Sequence, residues 1–276
     1  MRLACCQLAP VIADPDGNLG LATRAIADAV DAGADVIVLP ELVTSGYVFR
    51  SAEEVEAAAL DRDAPLFSTW GAEAARGDAV VIAGFAERGE DGALYNSAVA
   101  LDGDGLLAVY RKIHLWDEER RWFAEGEEAA PVIDTRHGRI GLSICYDLEF
   151  PEVARGLALA GAELIASPTN WPHEAAPPDG RPILHSLALA TAYLNKVFVA
   201  VCDRCGIERG IEFEGGSVIS GPDGALLGGP VAGRGAEMLL AECDLERARD
   251  KRCGKVNDAF ADRRPERYRQ SLVTPL

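Results

Sequence analysis

An apolar strand, a cysteine and a helix start follow one another in the segment Gly141-Leu-Ser-Ile-Cys-Tyr-Asp-Leu-Glu-Phe-Pro-Glu152. Residues 138–144 have the aliphatic and β-branched composition of a strand, and Pro151 and Glu152 are typical of the first turn of a helix. Cys145 is therefore expected on the turn between them, where unpaired backbone N–H groups can stabilise an oxyanion. The thiol is a candidate nucleophile, although a lone cysteine is more often a buried structural residue.

Two other apolar segments lead directly into charged residues. A buried-type strand precedes Glu41 in Val36-Ile-Val-Leu-Pro-Glu-Leu-Val-Thr-Ser-Gly-Tyr47, and another strand ends at Lys112 in Val109-Tyr-Arg-Lys-Ile-His-Leu-Trp116. The 27 basic residues include very few lysines, namely Lys112, Lys196, Lys251 and Lys255. Because the chain otherwise uses arginine, Lys112 is suggested to be needed as a compact charge with three hydrogen-bond donors.

These segments together resemble the nitrilase (carbon-nitrogen hydrolase) superfamily, whose catalytic residues are Glu, Lys and Cys at the ends of separate strands. Glu41 lies in LPELVTSGY, Lys112 in YRKIHLW and Cys145 in SICYDLEFPE, and the segments RWFAEG, SPTNWP and GGSVISGPDG match in the same order. The resemblance covers nearly the whole chain. It implies an α/β fold, the four-layer αββα sandwich of this superfamily, and the branch that contains amidases and carbamoylases.

The resemblance also implies a second glutamate, seven residues after the lysine. That position is Glu119, and its distance along the chain from both Lys112 and Gly126 fits the family pattern. The neighbouring Glu118 is an alternative, and either residue could be a solvated charge in the run Asp117-Glu-Glu-Arg-Arg121. We expect Glu119 to take the role.

Length and composition predict one large α/β domain. The chain has 276 residues, of which 49% are hydrophobic, and strand-like runs alternate with helical stretches. The prediction is a single domain over residues 1–276, with residues 262–276 as a tail or as a segment that crosses to a partner. The sequence has no 20-residue apolar span and no basic leader with an apolar core, so a cytoplasmic protein with no membrane partner is expected.

Charge and cysteine content narrow the partners and cofactors. A net charge of −17 argues against a nucleic-acid partner, since phosphate binding requires clustered Lys and Arg. Seven cysteines without a regular framework are expected to be reduced thiols. Cys202 and Cys205 form a CxxC pair, but it lacks a second pair at ligand spacing, so it is a weak metal or redox signal. No metal or other cofactor is predicted.

The family resemblance implies a mechanism that starts with the thiol. Glu41 takes the proton of Cys145, and the thiolate attacks an amide carbonyl whose oxyanion is held by Lys112 and the backbone N–H of Tyr146. Ammonia leaves with a proton from Glu41, and a thioester remains until Glu41 activates water. Glu119, with Glu41, is expected to keep Lys112 protonated.

The substrate is a small or medium molecule with a neutral or apolar acyl group. This prediction rests on five candidate substrate-binding residues at motif positions, each of which could instead belong to the core. They are Tyr47, Trp116, Tyr146, Asn170 and Trp171. The segment after the cysteine is similar to that of amidases and carbamoylases and lacks the Trp-Glu pair of nitrilases. We therefore predict carboxamide hydrolysis first, N-carbamoyl amine hydrolysis second and nitrile hydrolysis third.

Four further hypotheses follow from single residues, from the composition or from the resemblance. If the strand that ends at Lys112 continues, His114 lies on the same face as Lys112. A catalytic dyad of Cys145 and His114 is then an alternative mechanism. Asp203 stands where many relatives have Asn, in a loop expected near the pocket mouth, and predicts a preference for amine-bearing amides. A catalytically silent binding or scaffolding subunit would share this composition. The resemblance also implies a homodimer or a larger homo-oligomer.

Overall fold

The computed structural model describes residues 1–173, 182–229 and 235–272, with side chains described as far as residue 268. Helices and strands occur along the whole of the described chain, and two 3₁₀ helices cover Asp117–Arg121 and Cys145–Glu149. In chain order the elements are β1 (Arg2–Gln7), α1 (Pro15–Asp31), β2 (Val36–Val38), α2 (Ala52–Ala58), α3 (Pro65–Gly77), β3 (Val80–Arg88), β4 (Leu94–Asp102), β5 (Gly105–Arg111), β6 (Val132–Thr135), β7 (Gly138–Leu142), α4 (Pro151–Leu159), β8 (Leu164–Thr169), α5 (Ile183–Asn195), β9 (Phe198–Asp203), β10 (Ile207–Glu208), β11 (Ile211–Glu212), β12 (Val218–Ser220), β13 (Leu226–Gly228), β14 (Glu237–Glu242), α6 (Glu246–Arg249) and α7 (Pro265–Leu272).

Two six-stranded sheets form the centre of the described structure. The first has the order β14-β1-β2-β3-β4-β5 and the second has the order β13-β12-β9-β8-β7-β6. The central strands β1, β2 and β3 are parallel, as are β7, β8 and β9, whereas the outer strands pair antiparallel. The parallel strands are mostly apolar, with their polar residues concentrated towards the strand ends, because both of their faces are covered.

The layers follow from the three largest apolar clusters. One cluster lies between the sheets and contains Leu3 and Val38 from the first sheet with Leu142 and Ala166 from the second. A second cluster joins α1 and α3 to the outer face of the first sheet, and a third joins α4 and α5 to the outer face of the second. The predicted αββα sandwich is confirmed.

Most predicted elements are present, with differences at their ends. The sequence over residues 53–77 predicts a helical stretch with a break at Pro65, and the structure has two helices there, α2 and α3, with Pro65 starting the second one. The strand predicted over residues 138–144 ends at Leu142, and the strand predicted to end at Lys112 ends at Arg111. In both places the backbone leaves the sheet before the functional residue. Lys112 and Cys145 therefore lie just beyond the ends of their strands.

The end of the described chain is helical. Helix α7 covers Pro265–Leu272, within the segment predicted as a tail or as a crossing segment. Across residues 1–173, 182–229 and 235–272, no helix has the length and apolar character needed to cross a membrane.

Candidate active site

Cys145 lies at the first position of a 3₁₀ helix between β7 and α4. Its backbone has a φ of +45°, a conformation that is uncommon for residues other than glycine and that clusters at functional sites. The side chain is only 8% exposed, and its Sγ donates to the carbonyl of Asn170 over 3.8 Å. The turn thus aims the thiol at the loop after β8.

Glu41 is held by close backbone packing after β2. A Cβ on Gly84 would lie 2.4 Å from the Cα of Glu41, so only glycine allows β3 to approach this turn. The N–H of Gly84 donates to the carbonyl of Pro40, and the N–H of Val43 donates to the carbonyl of Gly84. The carboxylate is completely buried at the end of the strand layer.

Lys112 brings its ammonium between two buried carboxylates. Its Nζ donates to Oε1 of Glu41 over 2.7 Å, and to Oε1 and Oε2 of Glu119 over 2.8 and 2.9 Å. All three donors of the ammonium are therefore used. Because two carboxylates surround one cation, the cluster carries a net negative charge when all three residues are ionised.

The charges of this cluster set the protonation of its members. Burial raises the pKa of Glu41 to about 7, even though Lys112 acts to lower it. Burial alone would lower the pKa of Lys112, but Glu119 and Glu41 outweigh it and raise that pKa above the usual range. Burial, together with the charge of Glu41, raises the pKa of the Cys145 thiol. The free protein thus holds a protonated thiol beside a carboxylate that titrates near neutral pH.

Glu119, rather than Glu118, lies at Lys112. Glu119 is buried and accepts a hydrogen bond from the phenol of Tyr47 over 2.6 Å, and its Oε2 accepts the N–H of Trp116 over 3.3 Å. Glu118 is exposed and pairs with Arg121. Of the two neighbouring carboxylates in the charged run, only Glu119 belongs to the cluster.

Asn96 is a member of the cluster that sequence reasoning missed. It is fully buried on β4, and its Nδ2 donates to Oε1 of Glu41 over 2.7 Å and to Oε2 of Glu119 over 3.5 Å. The backbone carbonyl of Asn96 also accepts the backbone N–H of Lys112. A carboxamide inside a predominantly apolar strand was the available signal, because buried polar side chains are paired.

His114 bonds to the turn that carries the cysteine. Its Nδ1 lies 2.9 Å from Oδ1 of Asp147, and its ring stacks on Phe150 with centroids 3.7 Å apart. Asp147 also accepts the phenol of Tyr110 and the N–H of Ile144. Because β5 ends before Lys112, the shared strand face that would have placed His114 beside Lys112 does not exist. This arrangement favours a supporting position for His114 over a dyad.

Asp203 does not lie at the pocket mouth, so the structure contradicts that expectation. It is completely buried at the end of β9. Its Oδ1 accepts the N–H of Trp171 over 2.8 Å, and its Oδ2 accepts the N–H of Gly216 over 2.9 Å. Both oxygens are thus used inside the fold, and Asp203 offers no charge to a substrate from this position.

A cavity of about 280 Å³, here called the Cys145 cavity, opens beside the thiol. Four of the five predicted substrate-binding residues line this cavity. The fifth, Tyr47, is not a lining residue and donates a hydrogen bond to Glu119. The lining residues are Trp116, Cys145, Tyr146, Glu149, Asn170, Trp171, Pro172 and Ile183. Both amide atoms of Asn170 are buried and have no hydrogen-bond partner among the described residues. Such a side chain is available to a ligand in the cavity.

The other thiols and possible metal ligands lie apart from this cluster. Cys202 and Cys205 are both buried, and burial raises the pKa of Cys205 to about 11. Within the part of the chain that the structure describes, no group of three or more His, Cys, Asp or Glu residues is arranged to hold a metal ion.

Comparison with known proteins gives one family and several similar chains. Residues 2–252 match the family described as carbon-nitrogen hydrolase. A protein of Pyrococcus abyssi (strain GE5 / Orsay) named nitrilase is 39% identical over 269 residues, which are 97% of this chain and 99% of that protein. An N-carbamoylputrescine amidase of Solanum lycopersicum is 32% identical over 280 residues, covering 94% of this chain and 91% of the other.

A solved structure is similar in its fold as well as its sequence. It is a mutant of the amidase from Nesterenkonia sp. AN1, with the acetamide moiety of fluoroacetamide covalently added at its active site cysteine. The TM-score is 0.79 at 30% identity, and the match covers 98% of this chain and 96% of that one.

Proposed function

Because the chain belongs to the carbon-nitrogen hydrolase family, we propose that it hydrolyses the C–N bond of a small or medium carboxamide to a carboxylic acid and ammonia. The observation that carries this proposal is the buried cluster of Glu41, Lys112 and Glu119 beside Cys145. A carboxylate that titrates near neutral pH, a permanent cation and a thiol are the groups that amide cleavage through an acyl-enzyme requires.

Glu41 is the base in this proposal. Its Oε1 is occupied by Lys112 and Asn96, whereas its Oε2 is buried with no hydrogen-bond partner among the described residues. Oε2 is therefore the oxygen left for proton exchange. Since the raised pKa of Cys145 keeps the thiol protonated, the thiolate forms only as Glu41 removes the proton during attack.

Lys112 and the start of the 3₁₀ helix stabilise the oxyanion. Lys112 stays protonated because Glu119 and Glu41 raise its pKa. Tyr146 is the second residue of the helix, where a backbone N–H has no carbonyl within the helix to bind. One N–H of Lys112 turns from a carboxylate to the oxyanion as negative charge develops there.

The reaction then proceeds in two halves with one carboxyl group. Sγ of Cys145 bonds to the carbonyl carbon and its proton passes to Glu41. The C–N bond breaks, Glu41 returns the proton to the leaving nitrogen, and ammonia departs from a thioester. Glu41 then removes a proton from water, the hydroxyl adds to the thioester carbon, and the C–S bond breaks as the thiol is reprotonated. The carboxylic acid leaves, and every step uses groups of the protein.

The Cys145 cavity suits a short acyl group. Its volume of about 280 Å³ and its aromatic residues Trp116, Tyr146 and Trp171 favour an apolar or neutral substituent. The unpaired amide of Asn170 provides both a donor and an acceptor for the substrate. Tyr47 supports this site through its hydrogen bond to Glu119.

N-carbamoyl amine hydrolysis is the second candidate and nitrile hydrolysis the third. Both reactions remain candidates because similar proteins are named N-carbamoylputrescine amidase and nitrilase. The carboxylate of Glu149 among the residues lining the cavity is compatible with an amine-bearing substrate. A catalytically silent subunit is the non-enzymatic alternative, and it would have a Cys145 that reacts no faster than the other thiols.

We also propose a homodimer in the cytoplasm. Leu159, Tyr193 and Leu194 are exposed large side chains on α4 and α5. Leu159 and Leu194 line a groove of about 730 Å³ together with residues of the 253–268 region. Covering this face with a second copy would remove apolar surface from water.

The test is intact-protein mass spectrometry with aliphatic amides, N-carbamoyl amines and nitriles, alongside ammonia release. The wild type should gain an acyl mass and release ammonia from amides, and Cys145→Ala should do neither. Cys253→Ala is the matched control because Cys253 is the exposed free thiol of the structure, and it should behave as wild type. Adducts that persist in Cys145→Ala, or no ammonia from any amide, would contradict the proposal.

A further inference from the structure

Asp203 joins two loops behind the Cys145 cavity. Strands β8 and β9 pair so that Thr169 lies beside Asp203, and the carboxylate then reaches the next loop at Trp171. Its second oxygen binds the N–H of Gly216, just before β12. The backbone of Asp203 is tied to the same region because its N–H donates to Oγ of Ser217 over 2.9 Å.

The loop that Asp203 holds forms one wall of the cavity. Residues 170–172, here called the Trp171 wall, all line the Cys145 cavity, and the carbonyl of Asn170 accepts the thiol of Cys145. The carboxylate of Asp203 accepts the N–H of Trp171. The backbone carbonyl of Trp171 in turn accepts the N–H of Glu214 over 2.9 Å. Asp203 itself does not line the cavity, so it acts on a substrate only through this wall.

The surroundings of Asp203 allow its charge to change near neutral pH. Burial raises the pKa of Asp203 to about 7, although the N–H groups of Gly216 and Trp171 and the charge of Arg204 act to lower it. Arg204 pairs with the buried carboxylate of Glu208 over 3.1 Å, and the nearby thiols of Cys202 and Cys205 are the other titratable groups that sense the charge of Asp203. His185 of α5 contacts the carbonyl of Gly216 through its Nε2.

Protonation changes what the carboxyl group can accept. An ionised carboxylate accepts both N–H groups with charge-assisted hydrogen bonds. After protonation one oxygen is a hydroxyl group, so one of the two N–H groups faces a weak acceptor in a buried site. The Trp171 wall is therefore held less firmly at pH values below about 7 than above it.

We infer that Asp203 is a positioning residue for substrate binding, whose carboxylate fixes the Trp171 wall and whose protonation weakens binding of the substrate without altering the reactivity of Cys145. This inference rests on the proposed amide hydrolysis. The sequence predicted that the charge of Asp203 would select amine-bearing amides directly at the pocket mouth. In the structure Asp203 instead affects the substrate indirectly, through the shape of the Cys145 cavity.

The first measurement is the affinity of the double variant Glu41→Gln/Cys145→Ala for butyramide by calorimetry, from about pH 6 to about pH 8.5, since the carboxyl group of Glu41 has a pKa of about 7 and would titrate in the same range as Asp203. Because this variant cannot acylate, its affinity reports binding without turnover. The dissociation constant should rise about tenfold as the pH falls through the titration of Asp203, since one charge-assisted hydrogen bond is lost. An affinity that does not weaken over this range would overturn the inference.

The second measurement uses Asp203→Asn in the otherwise wild-type enzyme. Asparagine has the same shape but only one acceptor oxygen, so KM for butyramide should rise about tenfold at pH 8 and lose its dependence on pH, with kcat nearly unchanged. The rate at which methyl methanethiosulfonate labels Cys145 should stay within about twofold of the wild-type rate. Asp102→Asn is the matched control, because Asp102 is a buried aspartate that accepts the N–H of Asp104 at the far end of β4.

The outcomes separate the inference from the function on which it rests. Wild type that does not hydrolyse any amide would remove the proposed function. Hydrolysis by wild type with an unchanged KM in Asp203→Asn would remove only the inference. A lower kcat together with a higher KM and slower labelling of Cys145 would instead show that Asp203 acts on the nucleophile, and would overturn the inference. If Asp203→Asn does not fold, the calorimetry with Glu41→Gln/Cys145→Ala still decides, because Glu41 no longer titrates in that variant.

Discussion

Asn96 holds one oxygen of Glu41 and leaves the other one free. Its Nδ2 lies 2.7 Å from Oε1, the oxygen that also accepts from Lys112, whereas Oε2 has no partner among the described residues. A carboxylate bound on one side only has a defined orientation and one available acceptor. The position of the proposed base is thus determined by a neutral amide on β4, two strands away from β2 in the sheet, as well as by the cation.

Replacing Asn96 by Ala should raise the pKa of Glu41 above its value of about 7. The hydrogen bond from Asn96 lowers that pKa, so its removal makes the proton harder to lose. Because Glu41 acts as a base only when ionised, labelling of Cys145 by methyl methanethiosulfonate should require a higher pH. Asn257→Ala is the control, since Asn257 bonds Asp262 on the surface. A profile that stays in place or moves to lower pH would contradict this role.

Replacing Glu119 by Gln should move the same profile in the opposite direction. The charge of Glu119 raises the pKa of Glu41, and its loss should let Glu41 ionise at a lower pH. We expect kcat to fall at the same time, because Lys112 loses a partner that holds it in place. Glu118→Gln, which changes an exposed charge, should leave both quantities as in wild type. An unchanged labelling profile and kcat in Glu119→Gln would exclude Glu119 from the mechanism.

Replacing Tyr47 by Phe should lower kcat/KM about tenfold, because a buried carboxylate loses one hydrogen bond. The phenol donates to Glu119 over 2.6 Å, and burial raises its pKa, so it remains a donor. Tyr95→Phe is the matched control, since Tyr95 donates to Asp91 over 2.7 Å outside the cluster. Equal effects of the two substitutions on kcat/KM would indicate a general loss of stability and not an effect on Glu119.

Replacing His114 by Asn should leave acyl-enzyme formation intact. The imidazole binds Asp147 and stacks on Phe150, so its loss should reduce the free energy of unfolding by about 1 kcal/mol. Urea denaturation measures the stability, and intact-protein mass spectrometry with an amide measures the acyl adduct. A folded His114→Asn protein that forms no adduct would favour the cysteine–histidine dyad.

Local patterns in the sequence were enough to predict most strands, a mixed α/β class and the candidate residues Glu41, Lys112 and Cys145, whereas the αββα sandwich and Glu119 were implied by the family resemblance. Apolar runs, proline at a helix start and short motifs depend on residues close together in the chain, so they can be read without knowing the fold. The family resemblance then gave the order in which these residues belong together.

Only the tertiary structure decided how those residues meet. Lys112 and Glu41 are 71 residues apart in sequence, and the order of strands in one sheet brings their side chains within 2.7 Å. The same order brings Asn96 to Glu41, and the second sheet turns Asp203 inward to Trp171 and Gly216. No local pattern carries this information, because the direction of a polar side chain depends on which distant backbone groups are left for it to bind once the sheets have packed.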